Sequence, residues 1–223
     1  MSRNDRRIYT IRYRWPAVYG GRADDLGFDY HQESEFMNQN DIKSIQRKIG
    51  VEPDGFWGPK SIAACQSHLR KLMPKNNPWP KSDQASLTKF YGAPGDESKL
   101  VVTDVSGLGI KYDSKPVRVI RCHQKVALSL KRIFTALSKG PHRSILEKYA
   151  GCFNNRPMRG GSLPSLHARG AAIDLDPDDN GNLVHWPMRA TMPLEVMEEF
   201  AKEGWLPAGA FWSRDAMHMQ ATQ

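Results

Sequence analysis

Two short stretches of the sequence hold residue types that can hydrolyse a bond. The first, SLPSLHARGAAIDLDPDDNGN, contains Ser165-x-His167-x-x-Gly170-x-Ala172-x-Asp174. A His and an Asp at this spacing mean little by themselves. The local pattern gives them a structure: residues 171–175, AAIDL, alternate as a β-strand, so Ala172, Asp174 and Asp176 share one face and Ile173 and Leu175 the other. Gly170 permits a tight turn that can swing His167 to the Asp174 side. The second stretch, GWLPAGAFWSRDAMHMQ, puts Asp215 ahead of His218 at the start of a predicted final strand, residues 216–220. There His218 and Gln220 share a face while Met217 and Met219 turn to the core. His167, Asp174 and His218 together offer two imidazoles and one carboxylate. That set suits zinc with a fourth position left open for water. Such a metal lowers the pKa of water toward ~7. Asp215 is placed to accept the water proton and pass it to a leaving amine.

The elements around these residues predict an α+β domain, an antiparallel sheet with flanking helices, over residues 85–223. Val126, Leu128, Leu130, Ile133, Phe134 and Leu137 fit a mostly buried helix ended by Gly140-Pro141. Ser144–Ala150 is expected as a short helical piece, and PLEVMEEFAKE at 193–203 as a helix with Pro at its start. Of the other histidines, His123 is expected to pack or cap a helix. His31, His68, His142 and His185 lie in polar contexts. Asp176, Asp178 and Asp179 lack calcium-loop spacing and are expected in a solvated turn.

The two chemical motifs resemble the zinc peptidases that include D-alanyl-D-alanine carboxypeptidases and L-alanyl-D-glutamate endopeptidases, most closely the phage endolysin branch. The S-x-H-x-x-G-x-A-x-D signature is complete, and the family's Gly-Trp…Trp…Asp-x-x-His ending stands as Gly204-Trp205, Trp212, Asp215 and His218. FYGAPG at 90–95 and CFNNRPMRGGS at 152–162 extend the likeness over about residues 85–220. The resemblance implies that His167, Asp174 and His218 bind Zn²⁺ and that Asp215 is the general base. It also implies an arginine that holds the substrate carbonyl or oxyanion. Arg156, directly after Phe153-Asn154-Asn155, falls at the family's usual place, and Arg159 is the second candidate. The sequence departs from the branch at Arg169, where an aromatic residue is usual, so an altered cleft wall is expected there. WLPAGAFW likewise replaces a glycine-rich turn.

Upstream, residues 38–72 change character. Asp41 is a plausible N-cap, Ile42, Ile45 and Ile49 recur at helical spacing, and Gly50 can end that helix. EPDGFWGP makes a turn-rich loop before a second helix with Ile62 and Cys65 inward. This segment resembles the small all-α three-helix peptidoglycan-binding module of cell-wall hydrolases. Gln46, Asp54-Gly55-x-x-Gly58 and Gln66 match its pattern, while Ser61 and Cys65 depart from it. The resemblance nominates Asp54 and Trp57 for substrate binding in the wall module. The other reading, in which Asp54 shapes the turn and Trp57 packs, stays open. Residues 73–84, MPKNNPWPKSDQ, have linker composition. Residues 1–37 form an N-terminal extension of no recognisable role, with a possible short strand at Ile8, Ile11 and Tyr13.

The chain of 223 residues carries a net charge of +8 with 39% hydrophobic residues. That balance argues against disorder. No run approaches the ~18 apolar residues of a membrane span, so stable membrane insertion is not expected. The basic, non-apolar N-terminus is no secretory signal. Together with the endolysin resemblance, this predicts a protein that accumulates in the host cytoplasm and reaches the wall through a holin-type pore. Three cysteines with no C-x-x-C pair predict reduced, buried thiols. The positive charge admits nucleic acid or an anionic wall polymer as partner. With no helix-turn-helix, finger or stacking motif, nucleic acid is not expected, and peptidoglycan is. A monomer is expected. The function that follows is a stem-peptide endopeptidase at L-Ala–D-Glu. The alternatives are a D-Ala-D-Ala carboxypeptidase and a non-catalytic wall-binding protein.

Overall fold

The computed structural model describes residues 39–223. The strand expected at Ile8, Ile11 and Tyr13, the extension 1–37 and His31 lie outside the described residues.

Helix α1 (Gln39–Ile49) begins ahead of the expected cap, and Asp41 sits in its first turn, where a carboxylate favours the dipole. Ile42 and Ile45 are buried, and Gly50 ends the helix at φ +76°. Helix α2 (Pro59–Leu72) opens with proline and buries Cys65 and Leu69. The loop between them closes around Gln46, which is 1% exposed. Its Nε2 donates to Asp54 Oδ1 at 2.7 Å, the Phe56 carbonyl at 3.0 Å and Ser61 Oγ at 3.1 Å. Its Oε1 accepts from the Gly55 amide at 2.8 Å.

The helical pair rests on later elements rather than on solvent. Trp57 meets Trp186 edge-on at 5.3 Å. Lys48 bridges Glu195 and Glu198, and His68 reaches Glu198 at 2.7 Å. Residues 73–84 are an anchored connection. Asn77 Nδ2 donates to the Gly204 carbonyl and Trp79 Nε1 to the Glu203 carbonyl, both at 2.8 Å.

Helix α3 (Gln84–Tyr91) is capped by Asp83, whose side chain accepts from the Ser86 amide. Two small antiparallel pairs follow. β1 (Leu100–Asp104) pairs with β4 (Val119–His123), and β2 (Lys111–Tyr112) pairs with β3 (Lys115–Pro116). Helix α4 (Ala127–Lys139) buries Leu130, Ile133, Phe134 and Leu137 as its periodicity predicts. Leu128, expected inside, is 73% exposed because it falls on the opposite face. The expected helical piece at Ser144–Ala150 is a 3-10 turn only through Lys148. Tyr149–Gly151 is strand β5.

The remaining elements are β6 (Ala172–Leu175), α5 (Pro177–Asn180), α6 (Leu194–Lys202), β7 (Leu206–Pro207), α7 (Ala208–Trp212) and β8 (His218–Gln220). Four strands form an antiparallel sheet in the order β5-β6-β8-β7. β6 is buried along its whole length, and α6 packs between α4 and α2. The architecture is therefore α+β with small antiparallel sheets. No described helix is long and apolar enough to cross a membrane. Cys65, Cys122 and Cys152 are free and buried.

Candidate metal centre and active site

His167 sits on a 3-10 turn, Leu166–Arg169. Ser165 caps that turn by accepting from the His167 amide, and Gly170 closes it at φ +64°. A side chain at Gly170 would also meet the His123 amide nitrogen at 2.9 Å, so both backbone angle and space require glycine. The motif's Ser and Gly thus fix the turn that aims the histidine. Asp174 and His218 come from neighbouring strands. The β6–β8 register places them directly opposite each other, so their side chains emerge on the same face.

The three ligand atoms converge. His167 Nε2 lies 3.2 Å from Asp174 Oδ1 and 3.2 Å from His218 Nδ1, and His218 Nδ1 lies 3.0 Å from Asp174 Oδ1. Among the described residues, this is the one group of three such side chains able to hold a metal ion. The outer nitrogens show how the rings are used. His167 Nδ1 is 2.7 Å from the Cys152 carbonyl, and His218 Nε2 is 3.2 Å from Gln220 Oε1. Each outer nitrogen must donate to its oxygen, which leaves the inner lone pairs of both rings facing a carboxylate oxygen. Lone pairs meet lone pairs there unless protons or a cation intervene. The N₂O donor set and its hydrogen-bonded outer shell fit zinc.

The electrostatics agree. Burial alone would raise the Asp174 carboxyl, but the His167 and His218 imidazoles facing it outweigh burial and hold the group well below the usual range. Burial lowers the His218 pKa, but Asp174 overcomes it and the net shift is upward. A divalent cation would compete with a proton for that nitrogen.

Asp215 lies on the same cavity, at φ +59°, and its carbonyl accepts from the His218 amide at 2.9 Å. Its Oδ1 is buried with no hydrogen-bond partner. Burial raises its pKa above the usual carboxylate value. An unpaired carboxylate poised this way can take up and return a proton. The cavity, about 190 Å³, is also lined by Arg156, Arg159, Arg214 and Trp212. Trp212 stacks on His218 with centroids 5.7 Å apart. A second cavity, of about 360 Å³, is lined by Tyr112, Arg121, Tyr149 and Phe153. Arg156, His167 and Asp174 line both, so the two cavities adjoin at the candidate metal centre.

The structure thus brings together His167, Asp174, His218, Asp215, Arg156 and Arg159. It leaves Asp54 and Trp57 apart from them. Asp54 is exposed and accepts from the Phe56 amide, which lowers its pKa. Trp57 is 7% exposed and packs inward. Arg169, expected on the cleft wall, is buried instead. It fastens the turn that carries His167 to α3 through the Gly92 carbonyl, Gln84 Oε1 and Thr88 Oγ1. His123 packs as expected, 2.9 Å from the Tyr91 carbonyl. Sequence reasoning missed two contributors. Gln220 was visible as a face-mate of His218, but its bond to the ring was not. Arg214 carried no signal beyond its place next to Asp215.

A family model described as D-alanyl-D-alanine carboxypeptidase matches residues 159–221. That span holds all three converging ligands, Asp215, Arg159 and Arg214. No curated protein and no solved structure matches the chain. The match and the donor set support a peptidase that acts on peptidoglycan, of a kind generally dependent on zinc.

Proposed function

We propose that the protein is a zinc-dependent endolysin that cuts the peptidoglycan stem peptide at L-Ala–D-Glu. The observation that carries this reading is the convergence of two imidazole nitrogens and a carboxylate oxygen beside Asp215, a half-buried carboxylate with one buried, unpartnered oxygen. His167, Asp174 and His218 would hold the metal. Zinc supplies Lewis-acid polarisation and makes hydroxide accessible near neutral pH. Asp215 takes the proton of the attacking water on its carboxylate and delivers it to the departing amine. Arg156, at the junction of the two cavities, donates to the carbonyl oxygen as charge grows there. Arg159 is the alternative for that task. Two cavities that adjoin at the centre suit a bond within a chain, with room for substrate in each. The D-Ala-D-Ala carboxypeptidase reading is favoured by the description of the matched family.

Residues 38–72 are proposed as the wall-binding module, joined through 73–84 to a catalytic domain from 85 onward. The excess positive charge suits an anionic wall. The proposed setting is the host cytoplasm, with release to the wall at lysis.

Incubating the zinc-loaded protein with purified stem peptides and weighing the products separates the readings. A split between L-Ala and D-Glu supports the endopeptidase. Release of single D-Ala supports the carboxypeptidase. Intact peptides overturn both.

A further inference from the structure

The cavity beside Asp215 holds more positive charge than the proposed reaction uses. Three guanidinium groups, Arg156, Arg159 and Arg214, line it against the carboxylates of Asp174 and Asp215. A divalent cation on the triad would balance those two acids and leave the guanidiniums in excess. Arg156 has a task at the carbonyl oxygen and also donates to the Pro157 carbonyl. Arg159 and Arg214 are exposed, and their side chains make no hydrogen bond or ion pair among the described residues. Solvated arginines on a convex surface would need no explanation. These two flank a concave site, where fields are focused and charge-assisted bonds are stronger.

The chemistry of the substrate says what they face. In both bonds under consideration, the residue beyond the cut carries a free carboxylate on the carbon that bears the departing amine. In D-Glu it is the α-carboxylate, because the chain leaves through the γ-carbonyl. In a terminal D-Ala it is the end of the chain. Asp215 must reach that amine, so the carboxylate lies within a residue's breadth of Asp215. Arg214 adjoins Asp215 in sequence, and Arg159 lines the same cavity. We infer that Arg214, assisted by Arg159, binds the free carboxylate of the first residue beyond the scissile bond. The enzyme then selects peptides that are acidic at that position. A guanidinium suits the task because its planar fork matches a carboxylate.

This inference rests on the peptidase reading, and one experiment separates the two. Zinc-loaded full-length protein is given paired soluble peptides that differ in one group. One pair is L-Ala-γ-D-Glu stem peptide with a free α-carboxylate or with an α-carboxamide. The other ends in D-Ala-D-Ala or in its amide. For whichever bond is cut, wild type should favour the acid by about ten- to a hundredfold in kcat/KM, the scale of one charge-assisted contact. Arg214→Gln should bring the ratio near unity, chiefly through KM, and Arg214→Lys should keep part of it. Equal cutting of acid and amide by wild type, or full preference retained in Arg214→Gln, overturns the inference and leaves the peptidase reading standing. No turnover of any peptide overturns both.

Discussion

Two polar clusters in this molecule are each built around a buried side chain, Gln46 in one and Asp174 in the other, and they differ in how their polar atoms are matched. Around Gln46, every donor meets an acceptor. Its amide serves Asp54, the Phe56 carbonyl and Ser61, and its oxygen takes the Gly55 amide. Around Asp174, acceptor atoms crowd one another at 3.0–3.2 Å, and Asp215 keeps a buried oxygen without a partner. A cluster that closes on itself holds a fold. One that does not is open to a proton, a water or an ion. The same contrast separates the six positions that gather at the adjoining cavities from Asp54 and Trp57, whose contacts are already spent on the protein.

The comparison can be broken at the open cluster first. His167→Ala should lose both zinc and turnover, checked by metal content and peptide cleavage. Asp215→Asn should keep zinc and lose about 10²–10⁴ in kcat, the usual worth of a general base. Retained activity in that variant would reject the assignment. The closed cluster should respond in stability instead. Trp57→Ala removes the edge contact with Trp186 and should cost about 3–5 kcal/mol in denaturant unfolding. Gln46→Ala should cost about 1–3 kcal/mol by stranding the loop's polar groups, with zinc content unchanged. The smallest effect is on pH. The Phe56 amide and Gln46 lower the Asp54 pKa below its ordinary 3.8. Its contribution is therefore full above that value and fades as pH falls through the lowered one. The gap in melting temperature between wild type and Asp54→Asn should narrow in acid below about pH 4.

The candidate metal ligands were legible because each sits in a short-range pattern. A capped turn aims His167, and strand alternation aims Asp174 and His218. Their meeting depends on the β6–β8 register, which local pattern suggests only through the shared apolar faces. What stayed hidden was set by distant partners. Arg169 looked like a cleft residue because nothing nearby in sequence shows that α3 supplies its acceptors. Tyr149 and Ala150 ended the expected helical piece, yet with Gly151 they form a strand because β6 offers them a ladder. Residues 73–84 had linker composition, yet Asn77 and Trp79 find carbonyls more than a hundred positions away. Arg214 was missed because a lone arginine in a turn says nothing until the cavity around it is seen.

The direct opposition of Asp174 and His218 across β6 and β8 has one more consequence. A slip of one residue would present Met217 or Met219 to Asp174 in place of the imidazole. On the proposed zinc reading, metal occupancy would gauge strand alignment, and the ion would act as a latch on it. Chelation should lower the melting temperature by releasing that latch. It should loosen β8 first, together with the chain just past it that Tyr91 grips at the Ala221 carbonyl. Amide exchange at Met219 with and without zinc would watch the latch open.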